Sequence, residues 1–378
     1  MNVNTHLEKN IEKHEAFHAS KKPGMLFFSD LGFRNFKDIG SLGFDFPKNS
    51  RTYGLSMEKI ANNAYELGKL DMQVSRNVMK FHSIIEDDFH PMLVLNWGTG
   101  VTAGYISGSM DVKFHQNTSF AKGQFIEDLD DVENLIFPEK NMWMEYVGNY
   151  WRGVESEWEG EKISVSNHFR SPLDVANELR GNDFFYDLYD DPDMLKLLIS
   201  KITDKTIMLD KYWRNESKFL REAPGGTWGA VSKNNVTFVN GDPIDLIMPD
   251  FIEEFNNQYI ERLVNELDKV FFHHHSIGYE KAPEVAKIKG LWVQQISQDP
   301  NGAVLRDLPQ EQIDILAKTS MDCCPLMMQQ FNMKKEGEPL EKTLDKYKNG
   351  RFMMTLKGET IEETKRLLDR ARNYCDKF

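Results

Sequence analysis

The sequence predicts an α/β fold: a (β/α)8 (TIM) barrel with an N-terminal helical extension and an insertion near the barrel mouth. Three observations carry that expectation. Short apolar runs of strand length alternate with helical stretches along the 378 residues, the pattern of a parallel sheet covered by helices. No G-x-G-x-x-G follows any predicted strand, which removes the main signature of a doubly wound dinucleotide-binding sheet. Four predicted strands end in polar, ligand-capable residues, as barrel strands do at their C-terminal mouth.

Met25–Phe28 and Met92–Leu95 read as short buried strands bounded by polar or glycine residues. Between them, Met57–Phe81 reads as a helix, because Ile60, Ala64, Leu67, Leu70 and Val74 recur near helical spacing. Gly108–Trp158 is aromatic, acidic and weakly periodic, which suits the insertion. Ile163–Asn167 is a strand, and Ser171–Leu179 a short helix with Pro172 in its first turn. The turn Asp190-Asp191-Pro192 opens a helix over Asp193–Tyr212, along which Leu195, Leu198, Ile202, Ile207 and Leu209 run. Strand Val236–Val239, helix Pro249–Leu267 and strands Val270–His275 and Leu291–Ile296 continue the alternation. Helix Pro309–Lys318, strand Arg351–Leu356 and helix Thr360–Ala371 close it. No repeat, low-complexity tract or composition break marks a linker. Residues 1–378 are therefore expected to form a single domain, with 1–90 a helical region packed on the barrel.

Composition narrows the function classes. Hydrophobic residues make up 40% and aromatics 12%, enough for a sizeable core, which excludes disorder as the overall state. The excess of 59 acidic over 46 basic side chains argues against a nucleic-acid partner, since phosphate binding needs a basic surplus. Three cysteines, two of them the neighbours Cys323 and Cys324, make no disulfide framework, and a reducing compartment is expected. No apolar run reaches the ~18 residues of a membrane span. Met1 to Lys22 carries His, Lys and Glu without an apolar stretch, so no secretory leader is read there. The expectation is a cytoplasmic protein acting on a small molecule, with neither membrane nor nucleic acid as partner.

The run His273-His274-His275 is the most unusual local feature. On a strand His273 and His275 share one face, while His274 points to the other. At a barrel mouth such a pair can ligate Zn²⁺ or act as acid or base, and the plainer alternative is a hydrogen-bonded core histidine beside polar lining. Asn240-Gly241-Asp242 follows the strand Val236–Val239; Asp242 can bind a substrate N–H, act as a base or complete a metal site, or it is an Asx turn. Asn96 and Trp97 offer a polar contact and a stacking face after Met92–Leu95, and Asn167 and His168 end another strand. The expected site is thus His275, Asp242 and His168 as catalytic groups. Asn96, Trp97, Asn167, Asn240 and Tyr279 line the substrate, and His275 with His273 are the metal candidates. Cys323-Cys324 lacks a C-x-x-C spacing and reads as two small buried residues. No G-x-S-x-G or H-E-x-x-H occurs.

From about Asn96 onward the chain resembles the uroporphyrinogen decarboxylase superfamily, which includes porphyrinogen decarboxylases and cobalamin-linked methyltransferases. The resemblance lies in Ser171-Pro172-Leu173-Asp174, Glu178-Leu179-Arg180-Gly181 and Tyr186-Asp187-Leu188-Tyr189-Asp190-Asp191-Pro192. It continues in Gly241-Asp242, in Met248-Pro249-Asp250-Phe251-Ile252-Glu253-Glu254-Phe255 and in Phe272 to Gly278. It implies a (β/α)8 barrel with its site at the C-terminal mouth. Two departures bear on chemistry. The arginine-rich motif of the decarboxylases is missing from Met25 to Arg34, and the zinc-ligating Cys of the methyltransferases is replaced by Ile277, although His275 is kept. The resemblance therefore implies an enzyme moving a methyl group between a small methylated compound and a corrinoid (cobalamin) on a partner protein, with zinc as a candidate cofactor. A lyase acting on a tetrapyrrole or other carboxylated substrate is the alternative, with Asp242 stabilising a protonated ring N–H. A non-catalytic corrinoid- or tetrapyrrole-binding protein is the third.

Overall fold

Runs of apolar residues flanked by polar turns become twelve strands in the computed structural model, which describes residues 3–29, 57–95, 97–108, 111–115, 118–122, 125–328, 339–356 and 358–377. In chain order they are β1 (Gly24–Phe28), β2 (Met92–Val94), β3 (Asp111–His115), β4 (Thr118–Lys122), β5 (Ser164–Arg170) and β6 (Gly225–Thr227). There follow β7 (Ala230–Ser232), β8 (Val236–Asn240), β9 (Lys269–His275), β10 (Val293–Ser297), β11 (Leu326–Met328) and β12 (Arg351–Thr355). Ten of them form one sheet in the order β1-β12-β11-β10-β9-β8-β5-β6-β7, with β2 also on β5. Only the β6–β7 pair in it is antiparallel. β3 and β4 make a separate hairpin.

The fold is therefore α/β, with a curled, mostly parallel sheet and helices between its strands. A ring closed by strand pairing, as expected from the sequence, is not completed: among the described residues no ladder joins β1 to β2. The segment entering β2 takes that place through one backbone bond and two carboxylates. The Asp88 amide donates to the Phe27 carbonyl (2.9 Å), while the Asp88 and Asp87 carboxylates accept from the amides of Phe27 (2.9 Å) and Ser29 (2.6 Å). Residues 1–90 are not purely helical either. They contain helices Val3–Ala19 and Met57–Ile85, but β1 between them pairs with β12 in the main sheet.

Side chains alternate across the sheet, and the alternation separates two environments. On the inner face Leu26, Phe28, Val236, Phe238, Phe271, Val293, Met327 and Met353 belong to one buried apolar cluster. Toward the C-terminal strand ends the same face turns polar. The ladders set Arg170 beside Asn240, Asn240 beside His273, and both Gln295 beside His273 and Ser297 beside His275. The outer face is covered by helices. Asn167, Thr237 and Arg214 all bind Asp210 of the helix Pro192–Glu216, a buried polar network that pins that helix to β5 and β8. The segment after β2, expected as an irregular insertion, holds the β3–β4 hairpin and a helix, Met142–Glu157, started by the Asn141 side chain accepting from Trp143 and Met144.

Candidate functional site

Three side chains from two adjacent strand ends converge. β9 presents His273 and His275 inward, two residues apart, and Asp242 reaches them from the turn after β8. The turn is tight because Gly241 donates its amide to the His273 carbonyl (2.8 Å), and a Cβ there would meet the Phe272 ring at 2.2 Å. His275 Nε2 lies 3.2 Å from Asp242 Oδ1 and 3.2 Å from His273 Nε2; the third side, His273 Nε2 to Asp242 Oδ1, is 3.9 Å.

The far side of each imidazole is held. His273 Nδ1 donates to Gln295 Oε1, which leaves the Nε2 lone pair directed at the cluster. His275 Nδ1 donates to Asp299 Oδ1 at 2.7 Å. Asp242 is steadied through Oδ2, which accepts from Asn240 Nδ2 at 3.2 Å and faces Arg170 Nη2 at 3.5 Å. Its Oδ1 is buried and turned toward the Nε2 atoms of His275 and His273.

Electrostatics differ sharply between neighbours. The hydrogen bond to Asp242 raises His275 to about 9 against its partial burial, with Asp299 adding to the effect. Burial opposes ionisation of Asp242, yet the His275 hydrogen bond and the Arg170 guanidinium outweigh it and hold the carboxyl at about 2. Burial pushes His273 down to about 4. Beside the cluster, Arg170 is shared by Asp174, Glu178 and Asp242. Burial lifts Asp174 to about 8 and Glu178 to about 7 despite that arginine. At neutral pH the site thus holds an imidazolium clamped between carboxylates next to a neutral imidazole.

The donor set fits a divalent ion. One nitrogen of each His and one Asp oxygen lie within 4.8 Å of one another. Tetrahedral ligands at ~2.0–2.1 Å from zinc stand roughly 3.3 Å apart, close to the two shorter sides of this triangle. Asp242 Oδ1 faces the same point as the two Nε2 atoms, and carbonyl or carboxylate partners behind ligating histidines are the usual support for a metal. Two His and one Asp leave a fourth position for water or substrate.

The other expected site residues scatter. His168 faces the same interior, stacked on Phe238 (4.2 Å between ring centres) and bonded to Thr227 Oγ1 at 3.1 Å, with burial holding it down to about 3. Asn240 orients Asp242. Three others make their contacts elsewhere. Asn167 points outward to Asp210 (2.9 Å), because the strand alternation puts it on the face opposite His168. Trp97 is buried in the main core edge-on to Tyr150. Tyr279 packs against the apolar cluster around Phe27 and Ile296. Asn96 lies outside the described residues. Sequence reasoning missed Arg170, Gln295 and Asp299. β5 runs three residues further than its apolar run, to Arg170; Gln294-Gln295 inside an otherwise apolar strand was the available signal for a polar interior.

No protein-family model matches the sequence, and no curated protein matches it. Among solved structures, the chain is similar to a methyltransferase from Methanosarcina mazei, with a TM-score of 0.57 at 12% identity over 98% of each chain. At that identity the likeness is one of fold.

Proposed function

We propose that this chain is a methyltransferase-type enzyme that takes a methyl group from a small methylated compound and passes it to a corrinoid on a partner protein. The observation that carries the reading is the convergence of Asp242, His273 and His275 with their outer nitrogens already held by Gln295 and Asp299. Thiolates, alkoxides and amines leave a methyl group poorly unless their charge is met at the moment of transfer. A zinc-like ion held by His273, His275 and Asp242 would supply that as a Lewis acid toward the heteroatom. The residues supply the rest: His273 and His275 fix the donor, Asp242 balances charge, and Arg170 keeps Asp242 ionised. Without the ion, His275 is an imidazolium and could instead meet that charge by giving its Nε2 proton to the leaving heteroatom; the two roles are alternatives.

The corrinoid part of the reading rests on the sequence resemblance and gains support from the surface. Tyr186, Tyr189, Leu246, Met248, Ile277 and Val304 are exposed, and they lie in the segments that follow β5, β8, β9 and β10. Such an apolar rim suits a large, flat or proteinaceous partner. The strand order, read as a (β/α)8 barrel with its β1–β2 seam bridged by Asp87 and Asp88, belongs to the same reading. Carboxy-lyase chemistry has less support, because Arg170 is the arginine that the described residues set at the cluster and three carboxylates of the protein occupy it.

The test is elemental analysis of the purified chain, followed by spectroscopic assay of methylcobalamin formation from cob(I)alamin with methylated thiols, ethers and amines. Stoichiometric zinc and methylcobalamin formed from one donor class are expected. Absence of both, with release of CO₂ from a carboxylated substrate, would replace this reading by the lyase.

A further inference from the structure

The hairpin of β6 and β7 turns through two residues, since Thr227 pairs with Ala230. Both have positive φ, Trp228 at +53° and Gly229 at +92°, the pattern of a type I′ turn. Gly229 suits its place: it has no side chain to strain the turn, and a Cβ there would meet the Phe89 ring at 2.4 Å. Trp228 does not. The first central position of such a turn favours Asn, Asp or Gly, and a bulky side chain in left-handed backbone is an outlier that needs a reason.

The reason lies in where the indole goes. It runs parallel to the His273 ring, 9° between planes and 6.1 Å between centres, an offset stack. Phe238 closes a second side of His273 at 5.8 Å, and His275 stands edge-on at 4.8 Å. The same turn anchors itself nearby, with Thr227 bonded to His168 and the Trp228 amide facing Met92 Sδ. Gln295 fixes His273 within its ring plane, but a single in-plane bond leaves the ring free to tilt about it. The parallel indole is the contact that opposes that tilt.

We infer that Trp228 is a positioning residue, held in strained backbone so that its indole fixes the plane of the His273 imidazole and aims Nε2 at the point shared with His275 and Asp242. The inference rests on the proposed metal-binding reading of that triad. Partners that orient a ligand typically account for 10–100-fold in metal affinity, which sets the size of the effect.

The experiment uses the full chain with Co²⁺ as probe, reading affinity and the visible ligand-field spectrum, alongside urea denaturation. W228F keeps an aromatic face and should bind Co²⁺ within about 3-fold of wild type with the same spectrum. W228N relieves the turn but removes the face; its affinity should fall at least about 10-fold, with a changed spectrum, while the urea midpoint holds. Should W228N fail to fold, W228L keeps an apolar side chain without a ring and is read in the same way. Wild-type affinity and spectrum in W228N or W228L overturn the inference, as does a loss in W228F equal to that in W228N. Failure of the wild type to bind Co²⁺ is a different result: it overturns the metal reading of the triad itself, and the inference with it.

Discussion

His274 and His275 are neighbours in sequence with opposite surroundings. His274 is fully buried on the outer face, with Nδ1 donating to Asp245 at 3.2 Å and Nε2 accepting from Gln294 at 2.9 Å. Its replacement by Ala strands a buried carboxylate and a buried amide. H274A is expected to cost about 3 kcal/mol in urea denaturation and to leave the rate per folded molecule unchanged. His275 is half-exposed at the cluster, so H275A should lower methyl transfer by at least about 10²-fold with little change in stability. Equal activity losses in the two variants would reverse the assignment of faces. Asp299 binds His275 at the far nitrogen and accepts the Ile277 amide through its other oxygen (3.3 Å); on the proposed metal reading, D299N should weaken metal affinity by about 10–100-fold, measured by chelator competition. At this scale the sequence was legible where period-two alternation applies within one strand, which separated His274 from His273 and His275. It was illegible where a side chain's role depends on a strand elsewhere. Nothing local to Asn167 distinguishes it from His168 as the residue facing inward, because that depends on where β5 ends. Nothing local to Trp228 announces a partner 45 residues away in His273.

Among elements, legibility followed the apolar pattern. The helix Pro192–Glu216 stands out in sequence because its buried side is Leu195, Leu198, Ile202 and Leu209. The helix Val3–Ala19 does not, because it buries His6, Asn10 and His14 together with Leu7 and Ile11, which blurs the periodicity. β11 is three residues long and follows Cys-Cys-Pro, too short for any pattern to register. The β1–β2 seam was also invisible, since carboxylates rather than a ladder hold it. That seam makes a sharp prediction. Asp88 is buried, and its Oδ2 accepts from the Phe27 amide. Its Oδ1 accepts from Lys13 Nζ (2.6 Å) on the first helix and from Arg372 Nη2 (3.0 Å) on the last. D88A removes the joint between three elements and leaves two cations short of a partner. It should cost about 3–5 kcal/mol, with the amides of Phe27 and Ser29 exchanging faster with solvent. A loss below about 1 kcal/mol would mean that the Asp88 amide, the Asp87 carboxylate and packing hold the seam without the Asp88 carboxylate.

Across the whole molecule, the unusual store of energy is in histidines buried neutral. His14 and His90 are wholly buried near the β6–β7 hairpin and the start of β2. Burial brings His14 down to about 4 and His90 to about 3. An unfolded histidine titrates near 6.5, so these two bind protons less readily in the folded chain. Above pH 6.5 both states are neutral and their contribution to stability is complete. As pH falls below 6.5 the unfolded chain takes up protons that the folded chain refuses, and stability drains until the folded pKa values are reached. The slope is about 1.4 kcal/mol per pH unit for each such histidine. Between pH 7.5 and pH 5.5 the unfolding free energy should therefore fall by about 3 kcal/mol from His14 and His90 together, with the buried His168 and His273 adding to the loss in the same direction. Substituting one of them isolates the cause: H90Q keeps a polar side chain of similar reach, so its stability at pH 7.5 falls modestly while its acid slope drops by about 1.4 kcal/mol per unit. A stability that is flat from pH 7.5 to 5.5, or a slope unchanged in H90Q, would show that these imidazoles accept protons in place, with local opening at the hairpin rather than global unfolding absorbing the charge.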